Sequence, residues 1–215
     1  MCWILILILV GKMTNQWARK FISYASGYTV PDNIVGREFY EISSFFPQLE
    51  SYYGVLSGLA YTVPYLLSGL FFGAITGKVN RIKVCSLTFL IGGLSQFVTG
   101  LIPNFNVLFG MRMIHGACNS ATSPLMYSIV ADVVPPERRA TANSFISTAV
   151  YAGISLSSLS ILLIRQIGWQ MTYKLMGSII GAVGLLYMFT VKEPKNWKNG
   201  RILSEEEIKQ HEQEK

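Results

Sequence analysis

The sequence predicts an all-α membrane protein with six membrane-spanning helices, and three observations predict it. The 215 residues are 51% hydrophobic but only 14% charged, against about 25% charged in an ordinary globular domain. Long apolar stretches recur along the chain, each near the 20 or so residues a helix needs to cross a bilayer. Cations collect on alternate loops, as the positive-inside rule requires. This composition argues against disorder. A net charge of +6 from so few charges fits a membrane protein better than a nucleic-acid binder. At about 20 residues per span, the length accommodates six spans and not twelve.

The spans fall at about 3–28, 51–76, 83–102, 106–131, 141–165 and 170–191, so that 1–201 forms one transmembrane bundle. The first opens with the apolar run Cys2–Val10. That run has the length of a signal-peptide core, but no basic segment precedes it and no small-residue cleavage site comes after it; it reads as part of a complete helix. Pro64 and Pro124 fall inside the second and fourth spans, where a membrane helix tolerates them because neighbours re-satisfy the freed carbonyl. The third span, from Lys83, and the sixth, Leu175 to Val191, are the most uniformly apolar. With both termini on one side, that side carries Lys78, Arg81, Lys83, Arg138, Arg139, Lys192, Lys195, Lys198 and Arg201, and the other only Arg37 and Arg165. Both termini are therefore expected in the cytoplasm. Ser204 with Glu207 forms a capping box, which predicts a polar helical tail over 202–215 or the start of a linker.

Several spans carry polar stripes. Lys12, Asn15, Gln16, Arg19, Lys20 and Ser23 recur at three- and four-residue intervals in the first, and so share a face. Ionisable groups at membrane depth are costly and face a bundle interior or a water-filled cavity. Lys12 and Lys20 have snorkelling to the interfaces as the alternative; Arg19 lies deeper, beside Asn15 and Gln16. In the fourth span Arg112, His115, Asn119, Ser120 and Ser123 share a broad face. His115 reads as a packed, hydrogen-bonded side chain rather than a proton relay. Small residues around Gly116 suit close helix packing. The fifth span bears Asn143, Ser147, Tyr151, Ser155 and Ser158, with Gly153, as a polar stripe or a packing seam. Three cysteines without a CxxC, and two distant histidines, offer no metal or redox centre. With no nucleophile motif or carboxylate pair in the membrane either, neither an enzyme nor a cofactor is expected.

The segment joining the second and third spans reads Gly73-Ala-Ile-Thr-Gly77-Lys78-Val-Asn80-Arg81-Ile-Lys83. It resembles the cytoplasmic loop signature of the major facilitator superfamily, in which Gly, three residues, Asp, a basic residue, any residue, Gly and a basic residue succeed one another. Gly73, Lys78 and Arg81 match. The fourth span and its sequel, Gly110-Met-Arg112 with His115-Gly116, Pro124, then Ala131-Asp132-Val-Val-Pro135-Pro136-Glu137-Arg138-Arg139, are similar to the second signature of that family. Gly168-Trp169-Gln170 and Lys192-Glu193-Pro194 flank the sixth span in the same way. Asn15-Gln-Trp-Ala-Arg19 with Ser23-Tyr-Ala25 looks like the first helix of spinster-like members; the organophosphate antiporters are a weaker likeness. The departures are Gly77 at the signature Asp, Asn80 at the signature Gly, and Ala18 and Asn119 where spinster-like members hold acidic residues.

The resemblance covers essentially the whole chain but only the amino-terminal half of a family member. It implies one six-helix half-bundle of an alternating-access carrier. Asn15, Arg19, Arg112, Asn119 and Tyr151 would line a cavity for a small anionic or amphiphilic solute, and Gly73, Gly77, Lys78, Arg81 and Arg139 would act in the cytoplasmic gate. Its partners would be the bilayer and a second six-helix half or another membrane subunit. The alternative is a transporter-derived structural subunit of a larger membrane complex that no longer transports.

Overall fold

The computed structural model describes residues 2–31, 36–76 and 78–191, together with the backbone of 197–198 and 201–202. It is almost wholly helical: α1 is Cys2–Ser26, α2 Arg37–Tyr40, α3 Ile42–Phe45 and α4 Gln48–Gly54. A π-helical turn, Val55–Leu59, leads into α5, Ala60–Ile75. Then come α6 (Arg81–Leu101), α7 (Phe105–Val133) and α8 (Pro136–Thr190). Two short strands, β1 (Trp197–Lys198) and β2 (Arg201–Ile202), pair antiparallel. The capping box at Ser204, the basic residues 192 and 195, and Gly77 lie outside the described residues.

The observed elements differ from the expected ones in three places. The second begins earlier, at Gln48, and runs through the π turn to Ile75. In that turn the Ala60 amide donates to the Val55 carbonyl, five residues back. A π turn accommodates one extra residue and rotates the remainder of the helix about its axis. The fifth begins at Pro136 rather than 141, because Pro135-Pro136 starts it and proline suits the first helical turn. The fifth and sixth are separated by one residue, Gly168, rather than by a loop. Its φ of 77° and ψ of 165° lie in a region essentially restricted to glycine. A Cβ there would also stand 2.6 Å from the Phe39 carbonyl oxygen.

Three helices are long and apolar enough to cross a membrane by composition: Gln48–Ile75, Arg81–Leu101 and Pro136–Thr190. The other two long helices, α1 and α7, extend for about 38 and 44 Å at 1.5 Å per residue but carry the polar stripes. They are also central to the bundle: Ile8, Phe21, Ile22, Ala121, Leu125, Met126 and Ile129 are fully buried. The π turn and the peripheral α5 instead expose Leu59, Val63, Leu66, Leu67, Leu70 and Phe71, the surface expected toward lipid or another subunit.

Close packing uses small residues. Gly116 lies against the Tyr61 carbonyl and Gly153 against that of Met13, with no room for a Cβ at either. These glycines bring α7 onto α5 and the first part of α8 onto α1. Gly93 and Gly177 do the same for α6 and the last part of α8. Two apolar cores result. One gathers Leu7, Ile8, Phe89, Leu125 and Tyr187. The other gathers Trp17, Phe21, Leu108, Trp169 and Tyr173 with Ile42, Phe46 and Leu49. Along both α1 and α7 the polar residues lie between the stretches that feed the two cores.

The second core is closed by a lid, residues 36–47. Trp169 donates its indole N–H to the Glu38 carbonyl at 3.0 Å, and its ring packs edge-on against Phe45. Glu41 holds the lid together: it pairs with Arg37 at 3.0 Å and accepts the Val30 amide at 3.3 Å.

Candidate functional site

The polar layer between the cores is organised around Tyr61, which is 1% exposed. The Arg19 guanidinium lies 5.1 Å from its ring centroid and that of Arg112 5.4 Å. Arg19 is also 5.8 Å from the Tyr65 ring, which stacks on Tyr61 one turn along α5. Two cations thus share one aromatic platform, held by the attraction of a cation to the negative face of a π system.

The remaining contacts fix this platform from α7. Asn119 donates its side-chain N–H to the Tyr61 hydroxyl at 2.5 Å. Thr122 donates to Asn119, and Lys12 donates to Thr122 at 3.3 Å and Ser123 at 2.5 Å. A polar chain therefore joins Lys12 to the two arginines across α1, α5 and α7. Arg112 donates to the carbonyls of Ala18 and Arg19 at 3.2 and 2.6 Å, tying α7 to α1.

Lys12 is 4% exposed and faces the interior, so the snorkelling alternative fails for it. Lys20 is exposed. His115 is packed, as expected, against the Tyr61 ring at 5.8 Å. It is not hydrogen-bonded, however: neither ring nitrogen has a partner among the described residues. Of the expected cavity residues, Arg19 and Arg112 meet at Tyr61 and Asn119 reaches the same ring's hydroxyl. Asn15 is buried on α1 beside them, 3% exposed. Tyr151 is 70% exposed on the outer face of α8, among the exposed Ser144, Ser147, Thr148 and Ser155.

No Asp or Glu occurs before Asp32, between Glu50 and Asp132, or between Glu137 and Glu193. The cations at Lys12, Arg19 and Arg112 accordingly meet hydroxyls, carbonyls and aromatic faces rather than carboxylates. Such an arrangement leaves a positive field in a region of low dielectric, where an anionic group is attracted strongly.

At the end of the bundle where α6 begins, Asn80 caps the helix by accepting the Lys83 amide at 2.9 Å. Arg81 is buried. It donates to the Ser128 carbonyl and hydroxyl at 3.2 and 2.7 Å and pairs with Asp132 at 2.6 Å, locking the start of α6 to the end of α7. Arg139 reaches back to the Val134 carbonyl at 3.1 Å. Gly73 and Lys78 are exposed, and Lys78 closes a turn by donating its amide to Ile75. Of the gate residues, Arg81 is thus joined to α7 through Asp132, whereas among the described residues the Arg139 side chain bonds within its own turn.

The family model for the Major Facilitator Superfamily matches residues 5–210. The chain belongs to the major facilitator superfamily. Among curated relatives it is 26% identical over 170 residues to the glycine betaine/proline/ectoine/pipecolic acid transporter OusA of Dickeya dadantii (strain 3937), covering 69% of this chain and 34% of that protein. The same figures hold for the proline/betaine transporter of Escherichia coli (strain K12). It is 27% identical over 142 residues to the uncharacterized MFS-type transporter YfhI of Bacillus subtilis (strain 168), covering 63% and 35%. Among solved structures it is similar to a bacterial homologue of the human lysosomal transporter Spinster, inward-facing and unoccupied. The TM-score is 0.75 at 20% identity, over 96% of this chain and 46% of that one. The occupied form of that homologue gives 0.67 at 19% identity, over 92% and 46%. The chain spans about a third of the curated relatives and about half of the solved structures.

The superfamily signatures point to α1, α7 and the loop before α6, and pass over Tyr61, at the centre of the layer. A signal is present in the sequence: Tyr61 and Tyr65 lie four apart, on one helical face, beside Pro64 in an otherwise apolar span. Asp132 is visible in the second signature, but its partner Arg81 is 51 positions away in sequence.

Proposed function

We propose that this chain forms the amino-terminal six-helix half of a secondary transporter moving a small organic solute with an anionic group. The six spans are 2–26, 48–75, 81–101, 105–133, 136–167 and 169–190, with both termini in the cytoplasm. The observation that carries this reading is Arg19. Arg19 is half-buried and its guanidinium is held on the faces of Tyr61 and Tyr65, in a layer supplied with cations and no carboxylate. Arg112 commits both terminal nitrogens to carbonyls and is buried, whereas Arg19 keeps its donors for a solute and can match a carboxylate or phosphate bidentately. The solutes named for the curated relatives include small carboxylates, which supports an anionic group on the solute. A second half-bundle, from the same polypeptide or another, would cover the exposed polar stripe around Tyr151 and complete alternating access. Arg81 with Asp132, and Arg139, would hold the cytoplasmic end.

The test is uptake of a panel of organic anions into proteoliposomes. Wild-type protein accumulates at least one of them, and Arg19→Gln abolishes that uptake while the protein remains folded. Uptake undiminished in Arg19→Gln overturns the assignment. The non-transporting subunit is the second reading, favoured by Ala18 and Asn119 standing where spinster-like members are acidic. It predicts no uptake or binding of any solute, together with stable co-purification in a larger complex.

A further inference from the structure

A cavity lies beyond the arginine layer, on its lid side. It is open to the surface, has a volume of about 400 Å³ and is lined by Ser23, Ser26, Gly27, Ser43, Leu49, Glu50 and Tyr53. Its position comes from helix geometry. Ser23 lies one turn along α1 from Arg19, about 6 Å of rise. Ser23 thus puts the cavity wall one helical turn beyond Arg19.

Its chemistry is opposite to that layer. Ser26 donates its hydroxyl proton to the Ser23 carbonyl at 3.3 Å, and Ser43 donates to the Ser26 carbonyl at 3.2 Å. Hydroxyls committed in this way present lone pairs to the cavity. Glu50, an exposed residue on the cavity wall, adds a carboxylate with no ion pair or hydrogen bond among the described residues, unlike Glu41, which the lid uses structurally. An acceptor-rich cavity with one free carboxylate fits a hydrogen-bond donor bearing positive charge.

We propose that this cavity is a second solute-binding station, in which Glu50 takes a protonated amine, so that the transported solute is a zwitterion with its anionic end at Arg19. This rests on the assignment of Arg19 as the anion-binding residue.

The test uses two matched pairs of probes, butyrate with 4-aminobutyrate and hexanoate with 6-aminohexanoate. Binding is measured by titration calorimetry on the protein purified at its native length. Wild-type protein binds an amino form more tightly than its plain carboxylate. Glu50→Gln weakens that amino form by about tenfold or more, the scale of one charge-assisted hydrogen bond, and leaves the plain carboxylate unchanged, which also shows that the variant is folded. Glu50→Asp retains the preference. Arg19→Gln weakens both members of the pair. If Arg19→Gln weakens both but Glu50→Gln leaves the ratio unchanged, or if wild-type protein shows no preference for an amine, the Glu50 station is overturned and the Arg19 reading stands. If Arg19→Gln changes neither, the reading beneath it falls too.

Discussion

Replacing Tyr61 separates the two roles of its side chain. Tyr61→Phe keeps the ring beneath Arg19 and Arg112 and removes only the hydroxyl that accepts from Asn119 at 2.5 Å. The orphaned buried amide costs about 1–3 kcal/mol. Tyr61→Leu loses that acceptor and the platform as well. Arg112 is buried, so its ring contact is worth about 2 kcal/mol; Arg19 is half-exposed and its contact about 1 kcal/mol. The Leu variant should therefore be less stable than the Phe variant by roughly 3 kcal/mol, on the order of a hundredfold in the unfolding equilibrium. Reversible unfolding by SDS titration in mixed micelles, monitored by circular dichroism, gives both numbers. If Tyr61→Leu and Tyr61→Phe agree to within about 0.5 kcal/mol, the ring does not hold the arginines.

Other outcomes concern geometry away from the arginine layer. Gly168→Ala forces a Cβ into a backbone region costing about 1–3 kcal/mol in strain and onto the Phe39 carbonyl; its melting temperature in detergent should fall sharply, and wild-type melting would contradict the break described for α8. Asp132→Asn should destabilise by about 1–2 kcal/mol, less than a fully buried pair because the carboxylate is 38% exposed. A double-mutant cycle with Arg81→Met should return coupling of similar size, and coupling near zero would show that Asp132 does not hold Arg81.

How far the sequence alone reaches depends on the range of the interactions involved. Hydropathy and helical periodicity are local, so the apolar stretches and the shared faces of α1 and α7 are legible in it. The cap at Asn80 is not, since the sequence marks that residue only as the departure at the signature Gly, and the third span is read from Lys83. The lid is not: α2 and α3 are four residues each and take their places from Trp169, some 130 positions away. The π turn is equally hidden, because one inserted residue leaves hydropathy unchanged. At the candidate site, Arg19, Arg112 and Asn119 are visible as polar residues in apolar surroundings. Tyr61 is not, since a tyrosine in a span is ordinary until two guanidinium groups lie on its ring. Glu50 is invisible for a related reason: it stands just outside the second span read from the sequence, 51–76, whereas the observed helix begins at Gln48 and includes it, and only the lid turns its position into a cavity wall.

The central claim is that Arg19 receives the anionic group of a solute, and equilibrium binding of the transported anion tests it most directly. Arg19→Gln should weaken binding by about tenfold to a hundredfold, the equivalent of one or two charge-assisted hydrogen bonds. Lys20→Gln, which removes the same charge from the exposed neighbouring position, should leave binding within about twofold of wild type, because exposed charges are screened. Equal losses in the two variants, or none in either, would contradict the account.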